Sequence, residues 1–468
     1  SMKHHIAGIT LAAVLAGCAH RDARPVPLAP VPDNWQNTAS AGALADAWLT
    51  ELDDDALTNL VAQAVRNNYA LAQSQAQVLQ ARETLVATNA NLWPSLSLNS
   101  SGSRRRNVIN FTGQPLASSV TAENFSLGAS LAWQLDIWGE LRGAAKSAAL
   151  SYAAQEALFI DARRTLAANT ARAWFSVLEA RAALDVAEQR LTNAQASFDI
   201  VERSYRLGLG EALDLYLARA TLSQQQAAVE AAHAALQSNT SALQLLVADY
   251  PDGQSSLSGK LMQSWPDVPA GIPAQIIHRR ADLQTAWLQL MAADADVAVA
   301  HRQRFPSLTI NASIDDEGNA FNQVFNAEPL SWSIVGNLTQ PLFQAGRLRA
   351  NERRAKARVA ELEANYLQLL NQAFADVELA LNEGITLQRR IERSVAQRAD
   401  ADAALNLSLQ QYERGLVDYT TVLQSQQQAF DARASVVQLL GAKARNRVTL
   451  FEALGGSFAA DETMDTQI

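Results

Sequence analysis

The sequence of 468 residues is poor in cysteine, aromatic residues and positive charge. Its one cysteine excludes an intramolecular disulfide framework and a cysteine-rich zinc site. Asp and Glu outnumber Lys and Arg by 47 to 38, which argues against a nucleic-acid-binding protein, because phosphate binding needs clustered Lys and Arg. Aromatic residues are 6% of a chain that is 48% hydrophobic. Ala, Leu and Val therefore supply most of the apolar surface, which suits close packing of helices.

Catalytic and metal-binding motifs are also missing from the sequence. The four histidines beyond the N-terminal segment are scattered and lack metal-ligand spacing, and no Gly-x-Ser-x-Gly motif is present. These histidines are His20, His233, His278 and His301. We therefore expect no enzyme, no metal and no cofactor other than a covalent lipid. No run of 18 apolar residues follows Cys18, so we expect no transmembrane helix.

The first 18 residues have the pattern of a secretory signal. Lys3 precedes a short apolar run from Ile6 to Leu15, which is too short to span a membrane as a helix. The sequence Leu15-Ala16-Gly17-Cys18 resembles the bacterial lipobox. That resemblance implies that Cys18 is acylated, with palmitate among its acyl chains, and that residues 1–17 are removed. Ala19, in a position where Asp signals retention at the inner membrane, predicts sorting to the outer membrane.

Two tracts of the chain repeat with an offset of 207 residues. Both are free of proline, which is absent between Pro115 and Pro251 and after Pro341. The aligned pairs include Gly139 and Gly346, Tyr205 and Tyr412, and Gly208-Leu209 and Gly415-Leu416. One register held across the whole tract indicates an ancestral duplication.

Each tract is predicted to form a long antiparallel helical hairpin. Apolar residues recur at helical spacing, as at Ala167, Ala171 and Trp174. The first helices, 139–206 and 345–412, are each about 100 Å long at ~1.5 Å per residue. Glycine turns lead to return helices at 212–247 and 418–454, and shorter helices are predicted at 54–92 and 280–303. Such hairpins must pack laterally to bury their apolar stripes.

Two pairs of β-strands are predicted within 93–135 and 304–341. Residues from Phe125 to Leu135 alternate between apolar and polar, a pattern that suits a transmembrane barrel with a wet interior. A soluble sandwich of amphipathic hairpins is the alternative. The predicted interfacial girdle consists of Trp93, Trp133, Trp138 and Phe305. We expect Arg104–Arg106 and Asp315–Glu317 to lie in loops beyond the strands.

Four strands cannot close a barrel, because bacterial barrels have at least eight. Several chains must therefore each contribute four strands. Two chains would give a barrel of about eight strands that its own side chains fill, and three would give about twelve strands and leave a channel.

Together these features resemble a TolC-like outer-membrane factor of the lipoprotein branch that serves multidrug efflux pumps. The resemblance rests on the lipobox, the hairpins, the strand pairs and three ordered motifs. These are Gly139-Glu140-Leu141-Arg142, Gly346-Arg347-Leu348-Arg349, and Ile272-Pro273-Ala274 through His278-Arg279-Arg280-Ala281-Asp282-Leu283 to Phe305-Pro306-Ser307-Leu308. It implies a mostly α protein with a small β part. The long hairpins would form a trimeric periplasmic tunnel, and four strands per protomer would contribute to a 12-stranded transmembrane β-barrel.

The resemblance implies the function of an outer-membrane exit duct in a tripartite efflux system, passively releasing drugs or other small toxic compounds. The implied partners are two further copies of the chain, a periplasmic adaptor, an inner-membrane pump and outer-membrane lipid, with no nucleic acid. A duct for type I protein secretion and a structural stalk lipoprotein remain alternatives.

The tips of the hairpins, Arg206–Asp214 and Arg414–Tyr419, are the candidate sites. The adaptor-docking residues are Arg206, Gly208, Gly210, Arg414 and Gly415. The gate residues are Asp214, Asp418, Gln424 and Gln427. Efflux relatives carry an Asp, and an Arg three residues later, where this chain has Gln424 and Gln427. Hydrogen bonds between glutamines would then replace a salt bridge.

The expected organisation follows the chain in order. It comprises a signal peptide (1–17), a tether and the start of the equatorial region (18–53), a helical segment (54–92), a barrel hairpin (93–135), a tunnel hairpin (136–250), an equatorial segment with a helix (251–303), a second barrel hairpin (304–341), a second tunnel hairpin (342–454) and a tail (455–468).

Overall fold

The computed structural model describes residues 31–37, 47–109, 118–254, 259–262, 268–320 and 330–458. The helices are α1 (Asp55–Asn67), α2 (Tyr69–Ala90), α3 (Glu140–Arg206), α4 (Ala212–Leu246), α5 (Pro273–Arg279), α6 (Ala281–Arg302), α7 (Arg347–Glu413) and α8 (Tyr419–Ala453). The strands are β1 (Ser95–Ile109), β2 (Ser118–Leu135), β3 (Ser307–Gly318) and β4 (Ser331–Thr339). The predicted fold class, mostly α with a small β part, is confirmed. None of the described helices has an apolar stretch long enough to cross a membrane.

The internal repeat is visible in the lengths of the helices. α3 and α7 each have 67 residues, and α4 and α8 each have 35. Both members of each pair start at the predicted offset. α2 and α6 also match, with 22 residues each. Each of these two short helices precedes a strand pair, although their starts, Tyr69 and Ala281, lie 212 residues apart rather than 207.

The helical segment predicted over 54–92 contains two helices, because Asn68 interrupts it. Asn68 has an extended backbone (φ −67°, ψ 125°). Its side-chain oxygen accepts hydrogen bonds from the backbone N–H groups of Ala70 (2.9 Å) and Leu71 (3.1 Å), and its amide donates to Leu246 O (2.9 Å). A short polar side chain that satisfies free N–H groups in this way starts a new helix.

The chain divides into two compact units. Among the described residues, the first unit lies within 78–155 and 285–366, and the second lies within 31–77, 156–284 and 367–458. In the first unit the four antiparallel strands lie in the order β1-β2-β3-β4. The register aligns Leu96, Leu131, Ala312 and Ile334 in one row and Ser97, Ser130, Ser313 and Ser333 in the next. Since successive rows face opposite sides, the sheet has an apolar face and a polar face.

The prediction that Arg104–Arg106 and Asp315–Glu317 lie in loops is wrong, because β1 and β3 continue through them. Cross-strand partners make this possible. Arg104 forms an ion pair with Glu123 (3.1 Å), and a Cβ at Gly128 would lie 2.0 Å from Asp315 Oδ1. The missing side chain of Gly128 therefore leaves room for the carboxylate within the sheet.

Each unit has its own apolar core. In the first, Leu290, Ala293 and Val297 of α6 pack against Val359 and Leu362 of α7. In the second, α8 is the most deeply buried helix, with 16 of its 35 residues buried. Trp174 of α3 is also fully buried, and its indole N–H donates to Asp54 Oδ2 (2.8 Å).

Candidate functional site

Both long hairpins reverse through turns with the same hydrogen-bond pattern. Gly208 and Gly415, two residues beyond the ends of α3 and α7, have φ values of +76° and +70°. Glycine adopts this left-handed conformation without a Cβ clash. The closing bonds run from Gly208 N to Tyr205 O (2.9 Å), Leu209 N to Ser204 O (2.9 Å), Gly415 N to Tyr412 O (2.8 Å) and Leu416 N to Gln411 O (2.9 Å). Each pair of bonds forms a Schellman motif, which ends the helix sharply.

The three tip glycines have different physical roles. At Gly208 and Gly415 an added Cβ would meet nothing within 4 Å, so only the backbone conformation favours glycine. At Gly210 a Cβ would lie 3.1 Å from Ser204 Oγ and 3.3 Å from Tyr205 N, so space is limiting there. The open surface over the first two glycines lets another backbone approach closely.

The tips also expose large apolar side chains that the sequence prediction omitted. Leu209 is 79% exposed, and Leu207 and Leu416 are each 67% exposed. The repeated Gly-Leu pair was the available signal, because a leucine next to a turn glycine has no core to enter. The predicted arginines are also exposed, and Arg206 pairs with Glu202 (3.0 Å). The described tips thus combine apolar and cationic surface.

The two tips share a small core within the second unit. It contains Val201 of α3, Ala218 of α4, and Tyr419 and Val422 of α8. The ring of Tyr419 lies 5.6 Å from that of Tyr412. Burial raises the pKa of Tyr419 to about 12, with contributions from Tyr412 and Asp214. The tyrosine is therefore a neutral packing group at physiological pH.

The predicted gate acids lie close enough to interact. Burial raises the pKa of Asp214, and the charges of Glu211 and Asp418 raise it further. Asp418 is the N-cap residue of α8, but its side chain makes no capping hydrogen bond. The structure therefore brings the acidic residues of both tips close together, where their negative charges repel one another.

The two predicted gate glutamines are not the residues that form the buried side-chain hydrogen bond between α8 and α3. Gln424 and Gln427 are exposed on α8. Instead, buried Gln426 donates to Ser197 Oγ of α3 (2.7 Å). Gln427 lines a cavity of about 180 Å³ together with Gln426 and buried Gln225. The amide contact between helices thus comes from a residue that the sequence prediction passed over.

The predicted girdle residues lie at the ends of the strands in the first unit. Trp93 is 73% exposed. The indole N–H of Trp133 donates to Leu92 O (3.1 Å), and that of Trp138 donates to Pro306 O (2.7 Å). Trp138 also stacks on Phe305, with ring centroids 5.3 Å apart. A satisfied N–H and a broad apolar ring suit an interfacial position.

Within the Arg279–Asp282 motif, Arg280 connects three helices of the second unit. Its guanidinium pairs with Asp282 (2.8 Å) and Asp376 (3.2 Å) and donates to Ala453 O (3.2 Å). It therefore joins the start of α6, the middle of α7 and the end of α8. The sequence pattern indicated the motif but not these distant acceptors.

Asp161 of α3 lies beside this cluster in a cavity of about 520 Å³. Burial raises the pKa of its carboxyl to about 6, and Asp282 and Glu452 raise it further, while Arg280 and Arg164 act in the opposite direction. Asp161 is therefore partly protonated in a mildly acidic medium.

Cys18, the predicted lipidation site, lies outside the described residues.

A profile of one protein family matches most of the chain. Its description is outer membrane efflux protein, and it matches residues 60–249 and 272–456. The cation efflux system protein CusC of Escherichia coli (strain K12) is 29% identical over 467 residues, which cover 95% of this chain and 98% of CusC. A crystal structure of CusC superposes with a TM-score of 0.80 at 27% identity and covers 93% of this chain and 99% of the other.

Two further relatives are similar along their whole length. The pyoverdine export outer membrane protein OpmQ of Pseudomonas aeruginosa is 30% identical over 476 residues, covering 98% of both chains. The probable outer membrane lipoprotein SilC of Salmonella typhimurium is 26% identical over 478 residues, covering 97% of this chain and 99% of SilC.

Replacing Asp161 by Asn is expected to stabilise the protein at neutral pH. Because folding raises the pKa of Asp161, its contribution favours the folded state below pH 4 and is lost as the pH rises through 6. After allowance for partial exposure, the cost at pH 7.5 is about 1–2 kcal/mol. Thermal unfolding in detergent should show a higher midpoint for Asp161→Asn at pH 7.5 and no difference at pH 4.

Asp376→Asn is the matched control, because it removes an acidic partner of Arg280 and should lower the midpoint. Equal stabilisation by Asp161→Asn at both pH values would contradict the assigned ionisation.

Proposed function

We propose that this chain, which belongs to the outer membrane efflux protein family, works as a lipid-anchored homotrimer. It is the outer-membrane channel of a tripartite efflux system. The observation that carries the proposal is the combination, in one chain, of an open four-stranded sheet with two 67-residue helices that reverse at glycine tips. The channel passively releases small toxic compounds or ions. CusC is named for cation efflux and OpmQ for pyoverdine export, and both names support small cargo.

The sheet supports a trimer because its outer edges are open in the described part of the chain. There β1 pairs only with β2, and β4 only with β3. Backbone groups in a bilayer need hydrogen-bond partners, so the outer edges of β1 and β4 must pair with other copies. Two copies supply too few strands for a channel, whereas three supply about twelve and leave one.

The helices support the same assembly through an asymmetry between duplicated partners. α8 has 16 buried residues, whereas α4, of equal length, has four. α4 exposes Leu213, Tyr216 and Leu245, each more than 60% accessible. We assign this surface to contacts with neighbouring copies and with the adaptor.

The tips are the proposed docking surface for a periplasmic adaptor, which connects the channel to an inner-membrane pump. The exposed leucines provide apolar contact area, and the open surface at Gly208 and Gly415 admits a partner backbone. The gate lies at the same end and uses Asp214, Asp418, Gln424 and Gln427. Opening moves the two hairpins apart like an iris, a two-state change that partner contacts favour.

The proposed location is the outer membrane, with the strands across the bilayer and the helices in the periplasm. The strands carry one apolar and one polar face, which supports a membrane-facing exterior and a wet interior. Outer-membrane lipid is thus a partner of the sheet. The lipobox supports acylation of Cys18, and the name of SilC supports a lipoprotein.

Metabolic labelling with palmitate tests the anchor directly. Mature protein from intact cells should carry label and lack residues 1–17, whereas Cys18→Ser should carry none. Mass spectrometry of the N-terminal peptide identifies the site. Unlabelled mature wild-type protein would contradict the assignment of Cys18.

The purified protein should form ion-conducting pores in planar bilayers, and its cation preference should fall on acidification. Since burial and the charges of Glu211 and Asp418 raise the pKa of Asp214, this residue loses its charge at a higher pH than an ordinary aspartate does. Asp214→Asn should therefore abolish the step in selectivity measured from reversal potentials. A protein without pores would exclude the channel function. A step in selectivity that survives Asp214→Asn would exclude Asp214 as its cause.

The double variant Gln424→Ala with Gln427→Ala should raise the single-channel conductance modestly at every pH.

Charging the apolar tips should disconnect the channel from its adaptor. Leu209→Asp with Leu416→Asp removes two exposed leucines, and loss of their burial at an interface costs about 3 kcal/mol or more than a hundredfold in affinity. Cells carrying this variant should become as susceptible to exported compounds as a deletion strain.

The matched control is Leu379→Asp, which charges a 64% exposed leucine in the middle part of α7, away from the tips. Trimer yield in the outer membrane is compared for all variants. Full resistance in the double variant at normal trimer yield would show that the tips are not the docking surface.

A further inference from the structure

We propose that two arginines on the buried ring of Phe430 form a clasp that holds α8 against α3 and α7 in the closed channel. The clasp consists of Arg190 on α3, Asp402 on α7, and Phe430, Asp431 and Arg433 on α8. The proposal rests on the channel function proposed above and assigns residues to the closed state that lie outside the tips.

The ring is the centre of the clasp. Phe430 is 1% exposed. The guanidinium carbon of Arg433 lies 5.0 Å from the ring centroid, and that of Arg190 lies 5.8 Å from it. Both distances are within the range of cation–π attraction, which strengthens when the cation is partly desolvated. The arginine side chains are 27% and 30% exposed, so they are only partly hydrated.

Polar contacts extend the clasp across three helices. Arg433 Nε donates to Asp402 Oδ1 of α7 (2.9 Å), and Arg433 Nη1 donates to Gln189 Oε1 of α3 (3.2 Å). Arg190 Nη1 pairs with Asp431 of α8 (3.4 Å). Two positive charges thus face two negative charges, so the charges within the clasp balance. Arg433 by itself contacts both α7 and α3.

Two cavities that open to the surface flank the helix contacts at Phe430. A cavity of about 1020 Å³ is lined by Arg433 together with apolar residues that include Val186, Ile391 and Val436. The cavity of about 180 Å³ next to the tips is lined by Arg190 and Phe430. The buried ring and its two arginines therefore form a short packed layer between two less closely packed levels of the helices. This arrangement suits a two-state change better than continuous core packing does.

The clasp is tested by the open probability of single channels in planar bilayers without an adaptor. Arg433→Gln and Arg190→Gln each remove one cation from the ring. Each should raise the open probability roughly three- to tenfold, because a partly desolvated cation–π contact changes an equilibrium constant by about that factor. The thermal midpoint of the trimer is measured alongside, since a purely structural role would lower it without changing gating.

Arg398→Gln is the matched control. Arg398 lies 3.9 Å from Asp402 and its side chain is 48% exposed. It is not one of the two arginines that define the clasp on the ring of Phe430. It removes the same charge near the same carboxylate and should leave the open probability unchanged. An equal rise in this variant would overturn the proposal, since general electrostatics would explain both results.

Phe430→Leu provides a second test, because leucine keeps apolar volume at this position but lacks the π system. It should raise the open probability by a similar factor. If it does not assemble, Arg433→Lys, which keeps the charge but loses the planar group, should give a smaller rise than Arg433→Gln. Wild-type gating in Arg433→Gln and Arg190→Gln would exclude the clasp while wild-type pores would still support the channel. Absence of pores in the wild type would instead exclude the channel function itself.

Discussion

Burial of one face of α8 is the interaction on which the second unit depends. Apolar burial is the main favourable term in folding, and this helix supplies 16 buried residues to the core. The partners of α8 are thereby fixed along its length. Phe451 stacks on Trp48 at 5.6 Å, Arg445 pairs with Glu179, and Gln426 reaches Ser197. Polar contacts then set the alignment of a helix pair that apolar packing alone would allow to slide.

The position of these polar contacts separates two tasks along the same helix. Near its C-terminal end, Arg280 and its acceptors fasten α8 to α6 and α7. At Phe430 the contacts are the two arginines on the ring and their polar partners on α3, α7 and α8, and cavities flank them. At the tip, burial raises the pKa of Asp214, and repulsion by Glu211 and Asp418 raises it further. The polar contacts of α8 therefore differ in kind along its length, and mutual repulsion between acids is found at the tip, which is the end proposed to open.

Sequence periodicity and spacing were enough to predict the elements that local rules determine. The offset between the repeats predicted two helices of equal length, and Gly208 and Gly415 predicted their ends. Contacts between distant segments were beyond those rules. Periodicity indicates that Gln426 faces a core, but it does not indicate that Ser197 lies opposite. Likewise Arg104 suggested a loop, because its partner Glu123 becomes apparent only once the strand register is known.

The duplicated hairpins have diverged in what they bury, and this divergence gives a physical reason for the proposed assembly. A chain with two equally buried return helices would complete its own core and would need no neighbour. Here α8 is buried within the chain, while α4 has four buried residues over the same length. A helix with little burial is weakly held by its own chain. Neighbouring copies that cover α4 would also pair the open edges of β1 and β4, so one assembly satisfies both the apolar face and the unpaired backbone.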